Sequence, residues 1–469
     1  MLRPLAAALL LVVAPLGAQP RLSADQQLAR DVLRELVEIN TADSVGSVTA
    51  AAEAMARRFR DAGFPAEDVR LLVPDGQPTK GNLVVRYRTR VPNGERPVLL
   101  VAHLDVVAAN RADWASDPFV LREENGFFVA RGVADDKGHA ALFVATLLKW
   151  KRDGWAPRRD VILALTADEE GGGSNGVQWL LANHRELVDA AYALNEGAFG
   201  ALAGDRPLYL GFQATEKRSA NFTLTVTNPG GHSSIPRPDN AIYQLAHALE
   251  RIESYTFPVA LNDVSRAYFT QTARVVPPDV AAAMRAIVAN PSDAAAAARL
   301  SRDPTWASML RTTCVATRLA GGHANNALPQ RATATVNCRI VPTSSAAEAR
   351  EALVRVIADT GVRVSPVGAG ATWAMTVDPI DPQLLAATTA TTRALWGDVP
   401  IIPLMSTWTT DGRLLRDAGI PTYGVNGLFT VPGEERMHGL DEKLRVRSFY
   451  DGLAFTDRLL RQIAGAPGA

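Results

Sequence analysis

The chain has 469 residues, which is too long for one hydrophobic core, so two domains are expected. Hydrophobic residues make up 47% and charged residues 21%, as in an ordinary soluble globular protein. Lys plus Arg and Asp plus Glu both number 49, and this balance argues against a nucleic acid or an anionic membrane as partner, because either would require a basic surface.

The first 18 residues have the layout of a secretory signal peptide. Arg3 precedes an apolar run from Leu5 to Val13, and small residues lead to Ala18, after which we expect cleavage. A buried or disordered N-terminal helix is the alternative. The run is too short to span a bilayer and no other is long enough, so we expect no stable membrane anchor after cleavage. The sequence therefore predicts an exported protein, periplasmic or secreted.

Residues 19–216 alternate between helix and strand patterns. The first helix opens with a capping box formed by Ser23 and Gln26. Nearly continuous Val, Ile and Leu in NLVVRYR, PVLLVAHLDVV, DVILALTA and AAYALNE predicts strands that are buried on both faces, with helices between them. The predicted fold class is α/β, with a mostly parallel sheet covered by helices on both faces.

The pattern changes near Lys217. SANFTLTVTN alternates polar and apolar residues, as a half-exposed antiparallel strand does, and a helix and an Ala-rich helical stretch of about 279–308 follow. Two strand-like runs, another helix and the strand VRVSPVG complete a smaller α+β domain that we predict at 217–375. Residues 376–469 return to the first pattern, with IPTYGVNGLF as a buried strand and VRSFYDGLAFTDRLLRQIA as a closing helix.

The two cysteines, Cys314 and Cys338, flank a turn-rich stretch, GGHANNALPQ, between two strand-like runs. If these runs pair as antiparallel neighbours, the cysteines can face each other, and an oxidising compartment permits a disulfide there. Two buried free thiols are the alternative, and the sequence leaves both open.

Histidines and acidic residues follow several of the apolar runs, where one edge of a doubly wound sheet can gather them. They are His103 and Asp105 in VLLVAHLDVV, Asp135 in ARGVADDKG, Glu169 and Glu170 in LALTADEEGG, Glu196 in YALNEG and His438 in RMHGLDEK. Each motif alone is also typical of an ordinary strand end or solvated turn. Together, and in this order, they predict a site for two metal ions.

The spacing of these residues suits such a site. His103 and Asp105 are two apart on a strand, so their side chains lean to the same face, as a ligand and its orienting carboxylate do. A glycine-bounded loop can present Asp135 to two metals. Of the adjacent Glu169 and Glu170, one can bind metal while the other serves as base for a water whose pKa the metal lowers to about 7.

This set of motifs resembles the zinc-dependent family that includes aminoacylase, glutamate carboxypeptidase, Gly-X carboxypeptidase, carnosinase-type dipeptidase and succinyl-diaminopimelate desuccinylase. The resemblance covers nearly the whole chain after residue 18. It implies a catalytic domain over 19–216 and 376–469, two zinc ions per chain, and a lid or dimerisation domain over 217–375. Cobalt or manganese would also suit such ligands.

The resemblance also implies a role for each residue of the predicted site. His103 and Glu196 would bind one zinc, Glu170 and His438 the other, and Asp135 would bridge both. Asp105 would orient His103, and Glu169 would be the general base. In this family the peptide bond between Asp135 and Asp136 is often cis.

Four further residues resemble the family's substrate-binding positions, and a fifth its oxyanion-stabilising histidine. His232, in NPGGHSSIP, is that histidine; in dimeric relatives it reaches the partner's active site, which favours a homodimer through the lid. Asn326 and Arg339 resemble the substrate-binding pair, with Arg339 holding a free carboxylate. The backbone near Thr410 and Gly412 resembles the segment that also receives this carboxylate. Lid packing of His232 and a surface ion pair of Arg339 are the alternatives.

We therefore expect a dinuclear zinc exopeptidase of carboxypeptidase or dipeptidase type, which cleaves the amide bond before a C-terminal amino acid with a free carboxylate. An N-acyl-amino-acid deacylase would use the same chemistry, so only the substrate pocket separates the two. A non-catalytic binding protein on a degenerate hydrolase fold is the third hypothesis, and it would require a broken site.

The Lys–Arg pair at 217–218 departs from the Lys–Gly pair usual in the family.

Overall fold

A computed structural model of the chain describes residues 21–171, 173–368, 377, 379–431 and 433–465. The predicted signal peptide and the predicted domain boundary at 375 lie outside these residues, so both stay predictions. Among the described helices, none is long and apolar enough to cross a membrane.

The helices and strands follow one another in three stretches of the chain. Before residue 217 they are α1 Ala24–Glu38, α2 Val48–Asp61, β1 Val69–Leu72, β2 Asn82–Tyr87, β3 Val98–His103, β4 Arg122–Glu124, β5 Phe127–Val129, α3 Lys137–Arg152, β6 Val161–Thr166, α4 Gly176–Asn183, α5 Arg185–Val188, β7 Tyr192–Asn195, β8 Gly200–Ala203 and β9 Arg206–Glu216. Short 3-10 turns lie at Ala66–Asp68 and Arg111–Asp113.

The middle stretch contains β10 Arg218–Thr227, β11 Gly231–His232, α6 Ala241–Ser254, α7 Asp263–Thr272, α8 Pro278–Ala289, α9 Ala294–Leu300, α10 Pro304–Leu310, β12 Thr313–Gly321, β13 Ala327–Leu328, β14 Arg331–Ile340, α11 Ala346–Ile357 and β15 Val362–Pro366. The last stretch contains α12 Pro382–Trp396, β16 Ile401–Ser406, α13 Gly412–Asp417, β17 Thr422–Gly424, β18 Phe429–Thr430, β19 Lys443–Arg445 and α14 Val446–Ala464.

A ten-stranded sheet forms the centre of the molecule, in the order β1-β2-β6-β3-β7-β17-β9-β8-β18, with β16 paired to β9. The pairs from β6 to β17 are parallel, and antiparallel pairs flank them. All residues of β3 and β6 are buried, because alternate side chains enter hydrophobic clusters on opposite faces of the sheet. The predicted α/β sheet covered by helices is confirmed.

A second, four-stranded antiparallel sheet has the order β12-β14-β10-β15, and α6 and α11 cover one of its faces. We call these six elements the lid. Alternating burial along β14 fits one covered face and one open face. Cys314 and Cys338 lie directly opposite each other on β12 and β14 and form a disulfide, which resolves the two alternatives left by the sequence.

Two predicted elements differ from those in the structure. The Ala-rich stretch is three helices, α8 to α10. Together with α7 they form one hydrophobic cluster that includes Ile402 of β16, and α7 packs directly against this strand. The single strand predicted over IPTYGVNGLF is two short strands, β17 and β18, separated by a loop in which Gly427 has a φ of +66°. This left-handed conformation ends the extended run.

Candidate metal centre

The seven side chains of the predicted metal site lie at one edge of the central sheet. His103 is the last residue of β3, and Asp105 follows it by two positions. Glu169 and Glu170 follow β6, Glu196 follows β7, Asp135 lies two residues before α3, and His438 lies in the loop between β18 and β19. Because these strand ends meet at one edge, residues from distant parts of the sequence converge there.

Asp135 is in contact with both histidines. Its Oδ1 lies 3.0 Å from Nε2 of His103 and its Oδ2 lies 3.0 Å from Nε2 of His438. The same His438 nitrogen is 3.0 Å from Oε1 of Glu170, and His103 Nε2 is 3.9 Å from Oε1 of Glu196. One carboxylate therefore stands between two imidazoles, each of which has a further carboxylate beside it.

Asp105 lies behind His103. Its Oδ1 is 3.6 Å from His103 Nδ1, and its backbone oxygen is 3.0 Å from the same nitrogen. Its Oδ2 accepts a hydrogen bond of 2.9 Å from the amide of Glu170. Asp105 is thus placed to fix the ring of His103 and to hold the loop that carries the two glutamates.

The donor atoms fit a divalent cation. Two groups of ligand atoms each lie within 4.8 Å of one another, His103 with Asp135 and Glu170, and His103 with Glu169 and Glu196. Imidazole nitrogen and carboxylate oxygen are the donors that zinc, manganese or cobalt takes in proteins. Carboxylates outnumber imidazoles in the cluster, so a cation would also balance its charge.

Burial and neighbouring charges shift the pKa values of the carboxylates in the cluster. Burial raises the pKa of Glu169 to about 9, with His103 opposing the shift and Asp411 adding to it. Burial likewise raises the pKa of Glu196 well above its usual range. Contact with the two histidines outweighs burial at Asp135 and holds its pKa below the usual range.

Glu442 fixes the loop that carries Asp135. This fully buried carboxylate accepts hydrogen bonds of 2.7 to 3.1 Å from Arg131 Nη1 and from the amides of Gly132, Ala134 and Asp135. The peptide bond between Asp135 and Asp136 is cis. Glu442 belongs to the same RMHGLDEK motif as His438, but its role did not follow from the motif.

A second buried network holds the loop of the two glutamates. Asp168 has a φ of +66°, and it forms an ion pair with the buried Lys80 and accepts 2.6 Å from the amide of Ser174. The side chain of Asn175 donates to Asp411 at 2.6 Å. No sequence signal marked Lys80, Asn175 or Asp411, because their partners are far away along the chain.

The cluster opens into a cavity of about 1080 Å³ whose wall also includes Arg339. Arg339 lies on β14 and donates from Nη1 to Thr409 Oγ1 at 3.0 Å, and burial lowers its pKa. The lid and the metal centre therefore face the same space. A free carboxylate bound to this guanidinium would lie within the cavity that holds the metal centre.

Two other predicted substrate residues, Thr410 and Gly412, do not line the cavity. The amide and hydroxyl of Thr410 donate to Glu216 at 2.8 and 2.9 Å, and the amide of Gly412 faces Thr410 Oγ1. Their neighbours Thr409 and Arg413 line the cavity instead.

His232 and Asn326 also lie outside the cavity wall. The amide of Ser233 donates to the backbone oxygen of Asn326 at 3.1 Å, which joins the two segments, and both His232 and Asn326 are exposed. The structure therefore brings together the predicted metal centre and Arg339, but it does not bring His232 and Asn326 to them within one chain.

A doubly covered sheet that gathers imidazoles and carboxylates at its strand ends, facing an arginine-bearing lid, is an arrangement suited to a metal-dependent hydrolase. The model of Peptidase family M20/M25/M40 matches residues 99–462. The chain belongs to this family of metal-dependent hydrolases.

Curated relatives match most of the chain. It is 28% identical over 379 residues to the human N-fatty-acyl-amino acid synthase/hydrolase PM20D1, covering 78% of this chain and 74% of the relative. It is 27% identical over 387 residues to the probable carboxypeptidase S-like 2 of Dictyostelium discoideum, covering 78% and 71%.

Solved structures share the fold. The M20 family metallo-carboxypeptidase Sso-CP2 of Sulfolobus solfataricus has a TM-score of 0.67 at 18% identity and covers 92% of this chain and 98% of its own. Human carnosine dipeptidase 1 has a TM-score of 0.64 at 15% identity and covers 93% and 96%.

Proposed function

We propose that this protein hydrolyses an amide bond whose nitrogen belongs to an amino acid with a free carboxylate. The observation that carries the proposal is that the imidazole–carboxylate cluster and Arg339 line the same cavity. Arg339 would bind the carboxylate through its planar fork and thereby set the scissile bond near the cluster.

His103 and Glu196 would hold one zinc ion and Glu170 and His438 a second, with one oxygen of Asp135 toward each histidine. The chemistry that the metal would supply when bound is Lewis-acid activation of water and of the scissile carbonyl. Asp105 would keep the ring of His103 in its orientation.

Glu169 would be the general acid–base. It lies beside Glu170, is mostly buried in the cavity wall, and has a carboxylate oxygen within 4.8 Å of ligand atoms of His103 and Glu196. Its carboxylate would accept a proton from the attacking water and then donate it to the nitrogen of the leaving amino acid.

Two substrate classes satisfy this scheme. The sequence favours peptides, with cleavage before the C-terminal residue, and a carboxypeptidase S-like relative agrees with that. N-acyl amino acids are the second class, and they are favoured by the printed activity of the human relative, an N-fatty-acyl-amino acid synthase/hydrolase. Both classes present the same amide and the same carboxylate.

The test is hydrolysis of a mixed pool of dipeptides and N-acyl amino acids by the purified chain without residues 1–18, read by mass spectrometry with zinc and with a chelator. We expect metal-dependent loss of substrates with a free carboxylate, and their carboxamide analogues should persist. Loss of dipeptides would assign a peptidase, and loss of only the acylated amino acids a deacylase. Zinc binding without hydrolysis of any member would contradict the proposal and favour a binding protein.

We also propose that the active form is a homodimer joined through the lid. Among the described strands of the lid sheet, β12 is an edge strand, and Val315 and Leu319 on it are 57% and 70% exposed. A long apolar edge is a template for pairing with another strand. In a dimer joined there, we expect His232 to reach the partner's cavity, as the family resemblance implies.

Sedimentation equilibrium tests the dimer. A dimer is expected for the unmodified chain and a monomer for Leu319→Lys, since a charge would be buried at the edge. A monomeric unmodified chain with full activity would contradict the proposal.

Export to the periplasm or medium stays part of the proposal, and N-terminal sequencing of the exported protein is its measurement.

A further inference from the structure

Three arginines lie in the wall of the cavity that holds the metal cluster. They are Arg218 on β10, Arg339 on β14 and Arg413 on α13. The histidines and carboxylates of the cluster come from other elements, chiefly the ends of the central strands. The cavity therefore has a carboxylate-rich part and a guanidinium-rich part.

Arg218 already has a carboxylate partner. Its Nη2 and Nη1 donate to the two carboxylate oxygens of Asp417 at 2.7 and 3.0 Å, and the side chain of Arg218 is almost fully buried. A two-point pair of this kind occupies both oxygens of the acid. Asp417, which α13 contributes to the same wall, is therefore not available to neutralise another arginine.

Arg339 and Arg413 are different. Within the described part of the chain, no Asp or Glu oxygen lies within 4.0 Å of either guanidinium, whereas Arg218 and Arg416 both have such partners. Arg339 has a neutral partner, Thr409, and both arginines are partly buried. Asp411 interacts with Arg413 electrostatically, but only from beyond ion-pair distance. Each guanidinium can therefore take a carboxylate from outside the chain as its direct partner.

We infer that the cavity takes substrates with two carboxylates, one bound by Arg339 and the second by Arg413. This inference rests on the proposed function, which itself needs only the first carboxylate. The second can come from the acidic side chain of the leaving amino acid or from a dicarboxylic acyl group. In both cases the ligand chemistry is a carboxylate held by a planar guanidinium.

The kinetic test compares each acid with its uncharged amide. N-acetyl-L-glutamate is set against N-acetyl-L-glutamine, and N-succinyl-L-leucine against N-succinamoyl-L-leucine, with the metal-loaded protein. We expect kcat/KM to be at least about tenfold higher for the acid than for the amide in one of the two pairs, and that pair identifies the source of the second carboxylate.

Arg413→Met should bring this ratio of acid to amide close to one, and Arg413→Lys should retain part of it. Arg447→Met, at an arginine of α14 that is 81% exposed, is the matched control and should keep the full ratio.

Binding provides a readout that does not depend on turnover. Isothermal titration of the metal-loaded protein compares L-glutamate with L-glutamine and succinate with succinamate. Tighter binding of one acid than of its amide, lost in Arg413→Met, supports the inference even if no amide is hydrolysed. The absence of hydrolysis would then contradict only the proposed function. Equal kcat/KM and equal affinity for acid and amide, with hydrolysis intact, would overturn the inference and leave the proposed function standing.

Discussion

Asp135 occupies the central position of the cluster, with one carboxylate oxygen toward each histidine. Its backbone is held by Glu442, which receives three amides and the guanidinium of Arg131 in a fully buried position. The position of one predicted metal ligand is thus fixed by a residue more than three hundred positions later in the chain. Such a contact supplies the outer support that a metal ligand needs.

Replacement of Glu442 by Ala is expected to destabilise the protein by about 3 to 5 kcal/mol, because Arg131 would remain as a buried charge without its partner. The variant should also bind less zinc, since the loop of Asp135 loses three backbone hydrogen bonds. Denaturant unfolding and metal analysis by mass spectrometry measure the two effects. Asp398→Ala, which breaks an exposed ion pair with Arg393, is the control and should cost less than about 1 kcal/mol. Equal stability of the two variants would contradict this account of Glu442.

The sequence located the residues of the cluster because each stands in a short motif, most of them directly after a buried strand. His103, Glu169 and Glu196 could be placed at one edge by the rule for strand ends alone. Lys80, Asn175 and Glu442 could not be found, since a lone polar residue gives no sign of which distant backbone it will meet. Thr410 and Gly412 were named from a resemblance, and the structure turns the amide of Thr410 toward Glu216.

At the scale of elements, β9 and β10 connect the central sheet to the lid through Glu216, Lys217 and Arg218, and all three side chains are buried. Glu216 accepts from Arg416, and Arg218 binds Asp417, so two of the three have partners on α13. Lys217 donates to neutral oxygens of Ser308 and Thr313. Among the described residues, no carboxylate pairs with this buried ammonium group.

This arrangement predicts a pH-dependent stability. Burial, and after it the charge of Arg339, lowers the pKa of Lys217 to about 7. The unfolded chain keeps this proton up to the ordinary pKa of about 10.4, so it binds more protons than the folded protein above pH 7, and stability rises with pH in that window. Between pH 7 and 9 the wild type should gain about 2 to 3 kcal/mol relative to Lys217→Met. Denaturant unfolding at both pH values measures the difference, and parallel pH profiles of the two proteins would contradict it.

Element types were predictable where periodicity was strong. The fully apolar β3 and β6 and the half-exposed β10 followed from their patterns, because each period matches one or two buried faces. Breaks inside apolar runs were not predictable, as Gly427 shows by splitting one expected strand into two. The hydrophobic cluster that joins α7 to α10 with β16 also had no local signal, since an apolar helix face does not specify its partner.

At the scale of the whole molecule, the cavity combines two kinds of charge between the central sheet and the lid. The carboxylates and imidazoles of the sheet edge suit a divalent cation, and the arginines of the cavity wall suit an anionic substrate. This polarity explains why hydrolysis next to a free carboxylate is the activity that the geometry supports best. In the proposed mechanism, a substrate bound in this way would have its scissile bond beside Glu169.

The most direct measurement is zinc content and kcat of Glu169→Gln beside the wild type, with a substrate found in the mixed pool. If Glu169 moves the proton and does not hold the metal, the variant should keep the wild-type zinc content and lose at least about a hundredfold in kcat. A carboxylate oxygen of Glu169 lies within 4.8 Å of ligand atoms of His103 and Glu196, so Glu169 is also placed to bind a metal. This experiment separates proton transfer from metal binding. Wild-type turnover, or a loss of zinc in proportion to the loss of activity, would contradict the account.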